Sequence, residues 1–120
     1  MVKAGFPSPA DDYISEKLDL NNKFITRPNS TFAVCVDGES MTGAGILPKD
    51  FVLVDRSEPV KDGSIILALV GNEFTLKRYK KIKGNIFLVP ENPNFETIEI
   101  TENVVFEVWG VVVAVMRQTI

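Results

Sequence analysis

From residue 31 onward, apolar and polar side chains alternate in short runs broken by turn residues, the two-residue period of strands buried on one face. Residues 31–37 set Phe32, Val34 and Val36 against Ala33 and Cys35. Phe51-Val52-Leu53-Val54 follows a turn at Leu47-Pro48-Lys49-Asp50, and residues 64–70 form a continuous apolar strand. Gly71-Asn72 is a two-residue hairpin signal from which residues 73–80 return. Lys83-Gly84-Asn85 makes a further turn before Ile86-Phe87-Leu88-Val89. Residues 90–94 read as a loop, 96–100 as a short strand, and 104–117 as a long one with a candidate bulge at Gly110.

The period changes upstream. Ser8 is placed as an N-cap, Pro9 as N1 and Asp11 as N3 of an [ST]-x-x-[DE] box. Ala10, Tyr13, Ile14 and Leu18 then recur at helical spacing, which predicts a short amphipathic helix over 9–18 packing one apolar stripe on a sheet. Residues 19–30 carry turn chemistry in Asn21, Asn22 and Arg27-Pro28-Asn29-Ser30. The expected fold is mainly β, an all-β sandwich or partly closed barrel with a short N-terminal helix. Two segments are expected: residues 1–8 as an N-terminal arm and 9–120 as one β-rich domain.

Composition narrows the function. A chain of 120 residues fits one domain, and 45% apolar with 24% charged residues is ordinary for a globular protein. The net charge of −3 argues against a strongly electrostatic hold on nucleic acid. Phe87 and Phe95 carry no base-stacking pattern, so no direct sequence-specific DNA binding is expected. No apolar run of membrane-spanning length occurs and no signal segment opens the chain, so no membrane association is expected. One cysteine, Cys35, allows no internal disulfide and fits a cytoplasmic location. It is expected as a small buried hydrophobe, and Phe106 and Trp109 as core or dimer interface.

The absence of histidine decides more. A Ser-His-Asp triad and a Cys-His pair are impossible within the chain. Histidine-based zinc sites are excluded, and one cysteine cannot form a cysteine-rich one, so no metal or cofactor is expected. What remains is a serine in a Gly-rich turn directly after a strand, Gly38-Glu39-Ser40-Met41-Thr42-Gly43-Ala44-Gly45. Small residues there let the backbone bend and leave backbone N–H groups free for an oxyanion. Alone, such a turn is usually only a turn. Lys77 lies 37 residues later (77 − 40), with Thr75 and Tyr79 on its face of a strand and Phe74, Leu76 and Arg78 on the other. Two readings stand. Lys77 belongs to a solvated basic stretch, or it is buried beside Ser40, where desolvation favours a neutral amine able to take the serine proton.

These stretches resemble the self-cleaving Ser-Lys proteins of the bacterial SOS response, the LexA/UmuD (peptidase S24) family. Gly38-Glu39-Ser40-Met41 is similar to the family's nucleophile motif and Glu73-Phe74-Thr75-Leu76-Lys77-Arg78 to its lysine motif. Residues 45–55, Asp62-Gly63-Ser64-Ile65-Ile66, residues 88–94 and Val108-Trp109-Gly110-Val111-Val112 resemble its other landmarks. Residues 4–13 resemble the UmuD branch, with Ala4-Gly5 matching the scissile bond. The resemblance implies a β domain of the LexA/signal-peptidase type, with Ser40 as nucleophile, Lys77 as general base and the backbone N–H groups of Ser40 and Met41 holding the oxyanion. It also implies a homodimer that cuts its arm when stimulated by a RecA–single-stranded DNA filament. The product would then partner a UmuC-type subunit in error-prone translesion synthesis. Two departures are visible: Leu47-Pro48-Lys49-Asp50 replaces the commoner Gly-Asp ending of that turn, and only Met1-Val2-Lys3-Ala4 precede the candidate bond. The alternatives are a non-catalytic dimeric accessory module of the polymerase, with Asp11, Asp12, Glu16 and Asp19 as a partner surface, and the sensor domain of a LexA-like repressor. The chain is expected to lack room for that repressor's upstream DNA-binding domain.

Overall fold

The computed structural model describes residues 19–120. The expected helix over 9–18, the arm and the Ala4-Gly5 bond lie outside the described residues. Seven strands follow in chain order: β1 (Thr31–Cys35), β2 (Phe51–Asp55), β3 (Ile65–Val70), β4 (Glu73–Ile82), β5 (Asn85–Val89), β6 (Ile98–Ile100) and β7 (Phe106–Met116). They form one sheet in the order β1-β2-β7-β3-β4-β5-β6, with every neighbouring pair antiparallel. The mainly β class is borne out. The sheet is open, with β1 and β6 as its edges.

Two expectations are corrected. Residues 19–30 are not all turn, because a five-residue helix, α1 (Leu20–Phe24), opens the described chain. Its N-cap Asp19 accepts from the amides of Asn21 at 3.0 Å and Asn22 at 3.4 Å. That cap satisfies donors which a helix this short could not otherwise pair. Cys35 is exposed rather than buried. Alternation does turn Phe32, Val34 and Val36 toward the core. The opposite face of the edge strand β1 is covered by nothing among the described residues.

β7 serves two partners. Its first half pairs with β3 and its second half with β2, and the register shifts once in each. Leu67 faces Gly110 while Ala68 faces Val108, so Trp109 is the extra residue of a bulge beside the expected Gly110. A second shift leaves Val113 unpaired between Val112 and Ala114. Bulges increase local twist and re-aim side chains. Two cores result. Met41, Ile46, Val52, Val54 and Leu67 form one, and Ile66, Ala68, Leu88 and Val111 the other. Adjacent β3 residues Ile66 and Leu67 therefore point into different cores, which is why residues 64–70 read as a continuous apolar run. Gly110 sits where β7 passes closest to β2; a Cβ there would fall 2.6 Å from Val54 Cγ1.

Two buried carboxylates fasten the loops around β2. Asp55 accepts from Ser30 Oγ at 2.7 Å, from Ser57 N and Oγ, and from Arg27. The Ser30 hydrogen bond, with those of Ser57 and the Arg27 charge, holds its carboxyl below the usual range against the opposing cost of burial. Asp50 takes a bidentate pair from Arg117, both contacts at 2.7 Å, and the Leu47 amide at 2.8 Å. The Arg117 hydrogen bonds lower its pKa most, followed by the Leu47 amide. Arg117 also donates to Gly45 O at 2.9 Å, which ties the end of β7 to the loop between β1 and β2.

The β4–β5 hairpin turns at Lys83 and Gly84, both at positive φ (51° and 83°). This is the type I′ pattern, which favours Asn-Gly. An L-residue other than Asn or Gly pays about 1–2 kcal/mol in the left-handed region. Lys83→Asn is therefore expected to stabilise the domain by about 0.5–1 kcal/mol. Urea unfolding should show a higher midpoint with an unchanged slope; an unmoved midpoint would mean the turn carries no strain.

Candidate active site

Ser40 lies in the loop between β1 and β2, and the loop's shape follows from its sequence. Gly38 takes φ 105°, closed to most side chains, and turns the chain as it leaves β1. Met41, 2% exposed, then drives its side chain into the first core beside Ile46. Thr42–Ala44 forms a single 3-10 turn. The residue after the serine is thus anchored in the core, while Ser40 itself stays half-buried at the loop's outer side.

Lys77 comes from the middle of β4, where it is the one buried residue of the strand. It pairs across β3 with Ile66 and is 7% exposed. The solvated reading of this lysine is thereby set aside. Its Nζ donates to Ser40 Oγ at 3.0 Å, to Leu76 O at 3.2 Å and, closest, to Thr75 Oγ1. No carboxylate among the described residues is one of its hydrogen-bond partners. Burial pushes the Lys77 amine below its ordinary value, since desolvation penalises the charged form. A buried amine whose charged form is disfavoured, in reach of a serine hydroxyl, has the geometry of a general base and its nucleophile. The N–H groups of Ser40 and Met41 donate to no acceptor among the described residues.

A cleft of about 200 Å³ opens at Ser40, walled by Val34, Val36, Leu67, Phe74 and Leu76. That is below the roughly 300–1,000 Å³ of sites that enclose a small molecule. Its apolar walls come largely from β1, β3 and β4, with Asp37, Ser40 and Thr75 adding polar groups, so it suits an extended chain crossing Ser40 better than an enclosed ligand. Phe74 stacks edge-on against Trp109 at 5.1 Å, and Arg56 lies 4.4 Å over the other ring's centroid, that of Trp109. Trp109 is therefore a packing residue behind the cleft wall, in line with its expected core role.

Sequence reasoning brought Ser40 and Lys77 forward but missed three groups. Thr75 was placed on the face of Lys77, and that shared face was the signal for its contact with Nζ. Glu91 and Asn92 carry only a loop reading and a place in the 88–94 landmark, with no role at the site. Glu91 N donates to Ser40 O at 2.8 Å, Glu91 O accepts from Gly43 N at 2.7 Å, and Asn92 Nδ2 donates to Glu39 O at 2.8 Å. Such contacts to main chain leave no residue-type pattern in the sequence.

Fold and site together define a class: a β-rich domain with a serine beside a buried lysine and no histidine in the sequence. The chain belongs to the peptidase S24-like family, whose model matches residues 1–113. It is 42% identical over 116 residues to protein SamA of Salmonella typhimurium, covering 97% of this chain and 80% of that one. It is 41% identical over 118 residues to protein ImpA of Shigella flexneri, covering 98% and 79%. It is 38% identical over 99 residues to the LexA repressor of Hahella chejuensis, covering 82% of this chain and 49% of the repressor. No helix among the described residues is long and apolar enough to cross a membrane.

Proposed function

We propose that the chain is a self-cleaving Ser-Lys peptidase of the UmuD type, whose domain (residues 9–120) cuts its own arm (residues 1–8) at Ala4-Gly5. The observation that carries this reading is the 3.0 Å contact between Lys77 Nζ and Ser40 Oγ with the lysine buried. Neutral Lys77 accepts the Ser40 proton as Oγ bonds to the Ala4 carbonyl carbon. The carbonyl oxygen becomes an oxyanion, held by the N–H groups of Ser40 and Met41. The Lys77 ammonium then gives its proton to the Gly5 nitrogen as the C–N bond breaks. Water, activated by the same amine, releases the Ala4 carboxylate from Ser40 and restores both side chains.

Similarity to SamA and ImpA over nearly the whole chain, together with the UmuD-type motifs, supports a place in SOS mutagenesis. In that setting a RecA–single-stranded DNA filament stimulates cleavage. The cut homodimer then serves a UmuC-type polymerase subunit in the cytoplasm.

Incubating the full chain at neutral and at alkaline pH tests the reading. Mass spectrometry should find residues 1–4 lost, and lost faster at the higher pH. An intact mass after prolonged alkaline incubation, with and without the filament, would rule out self-cleavage.

A further inference from the structure

The Ser40 loop and β4 must be held in register for Ser40 and Lys77 to meet, yet no main-chain hydrogen bond joins them among the described residues. The link runs through the segment after β5. That strand pairs with β4, with Val89 opposite Arg78, and two residues further on lies Glu91. The Glu91 main chain grips the loop at Ser40 O and Gly43 N, and Asn92 Nδ2 adds Glu39 O and, at 3.4 Å, Thr42 Oγ1. The Glu91 side chain reaches back to β4, where its carboxylate accepts from Arg78 Nε, and Arg78 Nη1 donates to Gly63 O at 2.7 Å. Arg78 directly follows Lys77. One strand therefore carries the lysine and, on its other face, the side chain that anchors the holder of the serine loop.

We infer that Arg78 and Glu91 are positioning residues that set the Ser40–Lys77 distance by fixing the 90–92 segment against β4, an inference that rests on the self-cleavage reading. Both side chains are partly exposed, at 27% and 33%, so the pair contributes little to global stability. Its role is geometric. Neither group touches Lys77 Nζ, so loosening the pair alters alignment and leaves the amine's surroundings intact.

Two readouts on the full chain test this. In Glu91→Ala the self-cleavage rate should fall roughly 10- to 100-fold, the scale expected for misalignment of up to about 1 Å. The pH midpoint of the rate should not move, and Glu91→Gln, which keeps an acceptor for Arg78, should recover most of the rate. Independently of cleavage, amide hydrogen exchange at Gly43 and Glu91 should speed about tenfold or more in Glu91→Ala, with the β2 and β3 core amides unchanged. Wild-type exchange at those two amides in Glu91→Ala would overturn the inference, as would equal loss of protection in the core strands. A wild-type rate despite faster loop exchange would overturn it too. A wild-type chain that never cleaves would sink the self-cleavage reading instead, and the exchange comparison would then decide whether the pair positions the loop.

Discussion

Lys77→Met is expected to stop release of the N-terminal segment, slowing it by at least about 10⁴-fold, while the domain stays folded. Methionine matches the length and apolar stem of lysine but offers no amine to take the Ser40 proton. The stability of the same variant gives a second, opposite signature. Lys77 is buried without a carboxylate partner among the described residues, and burial lowers its pKa in the folded chain. The unfolded chain, with an ordinary amine near 10.5, binds the proton more tightly. Between the folded and unfolded pKa values the unfolded state holds more protons, so wild-type stability rises with pH through that window and is lower below it. Lys77→Met lacks this rise and should be at least as stable as wild type at neutral pH, since it removes the cost of burying the amine. Cleavage assays and urea midpoints at neutral and alkaline pH measure both effects. A variant that still cleaves at the wild-type rate would remove Lys77 from the chemistry. Identical pH slopes for the two midpoints would contradict a desolvated amine.

The strands were legible because their period is local. Phe32, Val34 and Val36 alternate, Gly71-Asn72 and Lys83-Gly84 mark hairpins, and β3 to β5 follow those signals closely. Helix α1 was hidden because Asn21 and Asn22 favour turns, and only the Asp19 cap turns their free amides to helical use. Alternation also says nothing about which face is covered, which is why Cys35 was expected inside and lies outside. Lys77 marks the same limit from the other side. Its strand offers two faces, and its burial depends on β3 opposite and on a loop 37 residues away in sequence. Family resemblance supplied the pairing of Ser40 with Lys77. The distance between them depends on hydrogen bonds from the Glu91 main chain and the Asn92 side chain to the loop's main chain, which no residue pattern announces.

Gly43→Ala tests that dependence where it is tightest. A Cβ at Gly43 would lie 2.5 Å from Glu91 O and 3.3 Å from Glu91 C. Both are backbone atoms, so no flexible side chain can yield. The 3-10 turn must move away from the 90–92 segment, and the 2.7 Å bond from Gly43 N to Glu91 O is lost or stretched. Ser40, two residues before that turn, is carried with it, which stretches the 2.8 Å bond its carbonyl accepts from Glu91 N. Overpacking of this kind costs about 1–3 kcal/mol of stability. A displacement of about 1 Å at the nucleophile costs about 100-fold in rate. The expected result is a rate–pH curve about 100-fold lower but with the wild-type midpoint, since β4 and the desolvation of Lys77 are untouched. A drop in rate accompanied by a shifted midpoint would place the damage at the lysine. If Gly43→Ala cleaves as fast as wild type and unfolds at the same urea concentration, then the loop is free to slide past Glu91. The alignment of Ser40 would in that case rest on the Met41 anchor alone.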